Sequence, residues 1–187
     1  RYVRESRLRA TGGDHQKALS WHTVKLIKDK FRLPLIVKGI ATAEDAQIAV
    51  DHGVDWIYVS NHGGRQLDHG RGAMHVLPEI VQAVKGRAKI MVDGGFCRGT
   101  DIVKAIASGA DLVGIGRLQC WALAAAGEDG ILRMLELLED EVIRTLGLLG
   151  VTSFAELNAS YLHPATATNM PGVFSAFPLV DIEPYRY

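Results

Sequence analysis

Gly53-Val54-Asp55-Trp56-Ile57-Tyr58-Val59-Ser60 and Gly109-Ala110-Asp111-Leu112-Val113-Gly114-Ile115-Gly116 are two versions of one pattern. Each starts on glycine, passes an aspartate and runs into an apolar stretch that reads as a buried strand. Upstream the correspondence continues. Val37-Lys38-Gly39 matches Val92-Asp93-Gly94, Thr42 matches Thr100, and Ala49-Val50 matches Ala105-Ile106. A recurrence at an offset of about 55 residues marks duplicated supersecondary structure. Each unit reads as strand, short loop, helix, glycine, strand. Thr42 and Thr100 are placed to cap their helices, with acidic residues in the first turn, and Gly53 and Gly109 to end them in the left-handed region.

Working outward, four apolar strands are expected near Leu35–Lys38, Trp56–Ser60, Lys89–Asp93 and Leu112–Ile115. Apolar strands alternating with helices predict an α/β fold with a parallel sheet buried on both faces. Lys38, Ser60, Asp93 and Gly116 then stand at equivalent strand C-termini, on one edge of the sheet. An open doubly wound sheet and a closed barrel both fit four such units. The duplication favours the barrel, as do the glycine-rich turns Asp93-Gly94-Gly95 and Gly114-Ile115-Gly116-Arg117, because barrels often bind phosphate after their last two strands. The expectation is the C-terminal half of a TIM (β/α)8 barrel, strands five to eight. A full barrel needs about 250 residues. Its N-terminal half is therefore expected as a separate segment or chain.

The remaining chain is assigned around that core. Residues 1–20 read as a loop or mobile segment, residues 21–160 as the half barrel, and residues 161–187 as a tail packing on the barrel or a neighbouring subunit. Trp21–Phe31 has a helical stripe that stops before Pro34. Apolar helices are expected at Leu118–Ala126 and Glu128–Leu146, and Ser153 to Glu156 reads as a capping box. The chain opens on Arg1 rather than Met, which suggests a piece of a longer chain.

Composition narrows the function. With 21 Lys+Arg against 21 Asp+Glu the net charge is zero, so no basic field is available for nucleic acid or an anionic membrane. No apolar run is long enough to span a bilayer. The two cysteines, Cys97 and Cys120, have neither metal-ligand spacing nor a disulfide framework, so no metal is expected and a reducing, cytoplasmic setting is the default.

Chemistry concentrates in Ser60-Asn61-His62-Gly63-Gly64-Arg65-Gln66-Leu67-Asp68, where a strand opens into a loop. Histidine is the side chain suited to taking a proton near neutral pH, so His62 is the candidate base. Arg65 presents a planar fork suited to a carboxylate. Together they suggest an enzyme acting on an acidic small molecule. Asp68 either positions Arg65 or caps the loop. His69, Arg71 and His75 shape the pocket or simply keep the loop polar, and His15, His22 and His52 read as ordinary.

This loop, with Leu35-Ile36-Val37-Lys38-Gly39, Val92-Asp93-Gly94-Gly95, Arg98-Gly99-Thr100-Asp101 and Gly114-Ile115-Gly116-Arg117, resembles the FMN-dependent α-hydroxy acid oxidase/dehydrogenase family over about residues 20–160. The resemblance implies FMN, an L-2-hydroxy acid substrate oxidised to the 2-oxo acid, and a tetramer. It implies Lys38 beside the flavin ring, Ser60 bonded to that ring, His62 as base and Arg65 on the substrate carboxylate. Asp93 suits the ribityl hydroxyls, while Gly94, Gly95, Gly116 and Arg117 suit the phosphate. A second substrate arginine is expected from the absent half. The chain departs from the family at Cys97, where an arginine is usual. Arg98 either replaces it or points to solvent. Competing readings are an FMN barrel with different chemistry, such as an isomerase or a peptide or amine oxidase, and a flavin-binding remnant without turnover.

Overall fold

A computed structural model describes residues 18–165. The expectations for residues 1–17 and for the tail beyond 165 lie outside the described residues. The element order is α1 (Trp21–Phe31), β1 (Ile36–Ile40), α2 (Ala43–Asp51), β2 (Trp56–Val59), α3 (Ala73–Val84), β3 (Lys89–Val92), α4 (Gly99–Ala107), β4 (Leu112–Val113) and α5 (Arg117–Leu149). Short 3-10 turns at His62–Gly64, Phe154–Glu156 and Ala159–Tyr161 complete it.

The sheet decides between the two α/β architectures. Its strands pair in parallel in the order β1-β2-β3-β4, with no reversal. A doubly wound sheet requires a switch in strand order, whereas right-handed crossovers stepping in one direction keep all helices on one face, as in a barrel wall. The core agrees. Ile57, Val59, Ile90 and Val92 pack with Ala46 and Ala49 of α2, with Val76, Leu77, Ile80 and Val84 of α3, and with Ala105 of α4 in one buried cluster.

The opposite face differs from the expectation of double burial. Side chains alternate along a strand, so the register places Ile36, Lys38, Trp56, Tyr58, Met91 and Leu112 together on the other face. Ile36 is 49% and Leu112 44% exposed, and Trp56, Tyr58 and Met91 are half-buried. Among the described residues nothing layers over this face.

Two further details correct the sequence reading. Thr42 caps α2, its hydroxyl accepting from the Asp45 N–H at 3.1 Å. Thr100 caps nothing, because α4 starts one residue earlier at Gly99. The Asp101 carboxylate instead reaches back to the Cys97 and Arg98 N–H groups, at 3.1 and 3.0 Å. The expected division of the C-terminal helices is present as a break inside α5 at Ala126 and Gly127, whose backbones are non-helical.

The repeated aspartates have a common structural task. Asp55 accepts from the Leu35 N–H at 2.7 Å and Lys28 Nζ at 2.6 Å. Asp111 accepts from the Ile90 N–H at 2.8 Å and Lys89 Nζ at 2.7 Å. Each staples the start of its own strand to the start of the preceding one. The Lys28 ammonium, with the Leu35 N–H, holds the Asp55 carboxyl below its ordinary range. A depressed folded-state value stabilises above the ordinary aspartate range, and that stability disappears as pH falls through the lowered value. Asp55→Asn should therefore lose about 1 kcal/mol at neutral pH, a figure discounted because the carboxylate is partly exposed. In denaturant titrations the gap to the unsubstituted protein should close as pH falls through the lowered Asp55 value. An undiminished gap there would rule out the charged staple.

Candidate active site

The strand ends deliver their polar groups to one rim. Lys38 lies on β1 just before a register shift, where Gly39 takes φ +98°. Its Nζ donates to Ser60 Oγ at 2.6 Å and to Asp93 Oδ2 at 2.7 Å. The same ammonium stands 4.4 Å from the centre of the Tyr58 ring. Ser60 is 4% exposed, and its Oγ also accepts from the His62 N–H at 3.1 Å. Lys38, Ser60, Asp93 and the His62 backbone thus form one connected group.

His62 has φ +56°, the left-handed region that side-chain-bearing residues seldom occupy. The bond to Ser60 helps to hold it there, and Asn61 supports the turn by accepting from the Gly64 N–H at 3.1 Å. The imidazole Nδ1 lies 3.0 Å from Gln66 Nε2. This ring stands between two hollows. One, of about 230 Å³, is lined by Arg65, Asp93, Gly94, Gly95, Cys97, Gly116 and Arg117. The other, of about 530 Å³, is lined by Lys38, Ser60, Gln66 and Arg71. His62 borders both.

The smaller hollow has the character of an anion site. It contains the N-terminus of α5, whose first residue is Arg117, and a helix start offers unpaired N–H groups and a positive dipole end. Arg117 reaches across toward the loop after β2. A Cβ at Gly63 would stand 3.6 Å from its Nη2, ordinary van der Waals contact, which places the guanidinium beside that turn. Asp93 Oδ1 is buried and accepts no hydrogen bond. A bare buried carboxylate oxygen beside an anion site suits a ligand bearing both hydroxyl and phosphate groups.

Arg98 does not join this group. Its guanidinium binds Glu141 of α5, with Nε and Nη2 at 2.8 and 2.6 Å from Oε1. Glu141 Oε2 accepts from the Gly99 N–H at 2.7 Å. Arg98 thus ties the start of α4 to α5 and is not among the residues that line the hollow. Cys97 does line the hollow, and burial, with the nearby Asp101 carboxylate, pushes its thiol up against the opposing effect of Arg117. Cys120 lines the same hollow. Arg71 is committed to Glu79, at 2.7 and 2.8 Å.

Sequence reasoning missed Tyr58 and Gln66. Tyr58 was absorbed into an apolar strand, although period-two alternation places it on the same face as Lys38. Gln66 had no signal beyond its spacing, four residues from His62.

A sequence model described as FMN-dependent dehydrogenase matches residues 3–164. The chain belongs to that family. Among relatives in this FMN-dependent dehydrogenase family, the 2-hydroxyacid oxidase of Dictyostelium discoideum is 44% identical over 145 residues, covering 78% of this chain and 37% of the relative. Glycolate oxidase 3 of Arabidopsis thaliana is 45% identical over 150 residues, covering 80% and 41%. A solved structure of a mandelate oxidase variant with 2-hydroxy-phenylacetamide superposes with a TM-score of 0.71 at 48% identity, covering 73% of this chain and 41% of that one. The chain thus spans about two fifths of the length of these relatives, which accords with a partial barrel. FMN is the family's cofactor, and the residues present fit it: an unpartnered Asp93 oxygen for a hydroxyl, and a glycine-lined helix start with Arg117 for a phosphate. Among the described residues no helix is long and apolar enough to cross a membrane, and no cluster of His, Cys, Asp or Glu could hold a metal ion.

Arg98→Ala should lower thermal stability by freeing Glu141 and leave FMN affinity unchanged. Weakened FMN binding in a fluorescence titration, with stability intact, would return Arg98 to the cofactor site.

Proposed function

We propose that this chain is the catalytic half of an FMN-dependent oxidoreductase that converts an L-2-hydroxy acid to the 2-oxo acid, working with a companion half barrel. The observation that carries this reading is the position of His62 between two hollows, with Arg65 and Arg117 on one side and Lys38 and Arg71 on the other. Losing two electrons and two protons turns the substrate's alcohol carbon into a carbonyl. FMN, when bound, supplies the two-electron acceptor.

This chain's residues supply the rest. Arg65 holds the substrate carboxylate and so fixes the hydroxyl-bearing carbon beside the imidazole. His62 takes a proton from the substrate as general base. To take that proton at Nε2 the imidazole must carry its own hydrogen on Nδ1, so the Gln66 amide turns Oε1 toward Nδ1 in place of the Nε2 that stands 3.0 Å away. Lys38, anchored by Ser60 and Asp93, keeps a positive charge at the rim where negative charge accumulates. Asp93 and Arg117 hold the cofactor's hydroxyls and phosphate. The relatives' names, glycolate and 2-hydroxyacid oxidases, support a small 2-hydroxy acid as the substrate class.

Cys97 favours a second reading, a flavin carrier without turnover, because it places a thiol where an added cation would strengthen the phosphate grip. Anaerobic mixing separates the two. In the oxidoreductase, lactate, glycolate or mandelate bleaches the flavin absorbance; in the carrier none of them does. His62→Ala should keep the yellow colour and slow bleaching by about 10²–10⁴-fold. Bleaching at the original rate would remove His62 from the reaction. Cys97→Arg should tighten FMN binding about tenfold if a phosphate lies there; unchanged affinity would place the phosphate elsewhere.

A further inference from the structure

Tyr58 belongs to the exposed face of the sheet. Its strand neighbours Ile57 and Val59 are fully buried under the helices, and alternation turns Tyr58 to the other side. The register pairs it with Lys38 on β1 and with Met91 on β3. Its hydroxyl extends past β3 to β4, where it occupies the space a Cβ of Gly114 would need. The ring therefore lies as a bar across the sheet, under the Lys38 ammonium at one end and against Gly114 at the other. Beside the hydroxyl stands the Asp93 carboxylate. Burial, then the Asp93 charge, pushes the phenol up to about 12, so it stays neutral at working pH.

We propose that Tyr58 is a positioning residue for Lys38: its ring is the platform that fixes the ammonium beside Ser60 and Asp93, and Gly114 is the residue that makes room for it. This rests on the FMN reading above, in which Lys38 faces the cofactor. An ammonium held by two acceptors and an aromatic face keeps its position better than one held by the acceptors alone. Lys38 is itself nearly half exposed, so a flexible four-carbon stem would otherwise let the charge wander.

Two substitutions separate platform from filler. Tyr58→Phe keeps the ring and loses the hydroxyl. Tyr58→Leu keeps apolar bulk and loses the ring. In the FMN-loaded protein with the companion half in place, Tyr58→Leu should weaken the preference for the reduced over the oxidised cofactor about tenfold. That lowers the two-electron midpoint potential by about 30 mV, while Tyr58→Phe should leave it near the starting value. Without FMN, acetylation of Lys38 followed by mass spectrometry should be faster in Tyr58→Leu and unchanged in Tyr58→Phe. Gly114→Ala, which displaces the ring by its hydroxyl end, should move both readouts in the direction of Tyr58→Leu and stands in if that variant does not fold. Unchanged potential and unchanged Lys38 acetylation in Tyr58→Leu, or in Gly114→Ala if it stands in, would overturn the proposal. Failure of hydroxy acids to bleach the flavin would overturn the reaction proposed above, and the acetylation comparison would still decide the role of Tyr58.

Discussion

Unidirectional winding is the constraint from which the site follows. Every crossover steps to the next strand in the same sense, so every strand leaves the sheet on one edge. Lys38, Ser60, Asp93 and the Gly116–Arg117 turn meet there without any long-range folding of loops. The opposite edge carries the stapling aspartates Asp55 and Asp111. Stability and chemistry are therefore separated along the strand axis, as expected of a barrel wall.

The same winding leaves one face of the sheet without helices. In a closed barrel that face is the packed interior. Here it exposes Ile36 and Leu112 and half-exposes Trp56 and Met91. The site sits on the rim of this surface, so its electrostatics depend on what layers over it. Lys38 and Asp93 attract each other weakly while water reaches them and more strongly when it is excluded. The strength of that pair is set by how far water reaches the rim.

Much of this was legible in the residues. The duplicated glycine–aspartate–strand pattern located all four strands, and His62 and Arg65 of the loop after Val59 line one hollow at the strand ends. What failed has physical causes. Thr100 looked like a cap because its counterpart Thr42 is one, but the capping acceptor came from Asp101, a residue inside the helix reaching backwards. Arg98 was a candidate phosphate ligand because it follows Cys97, where the family has an arginine, with solvent as its alternative. Its true partner, Glu141, lies 43 residues on, and nothing local in the sequence marks a contact so distant. Tyr58 was hidden because a strand with alternating faces can carry an aromatic that is polar at one end, and only the register with Lys38 reveals which face it serves.

The Ser60 hydroxyl has one proton to give and two lone pairs to receive. Lys38 Nζ and the His62 N–H take both lone pairs. Only the proton is left for a visitor, so whatever atom settles over Ser60 must come with electrons to share, and a donor arriving there would find no acceptor free.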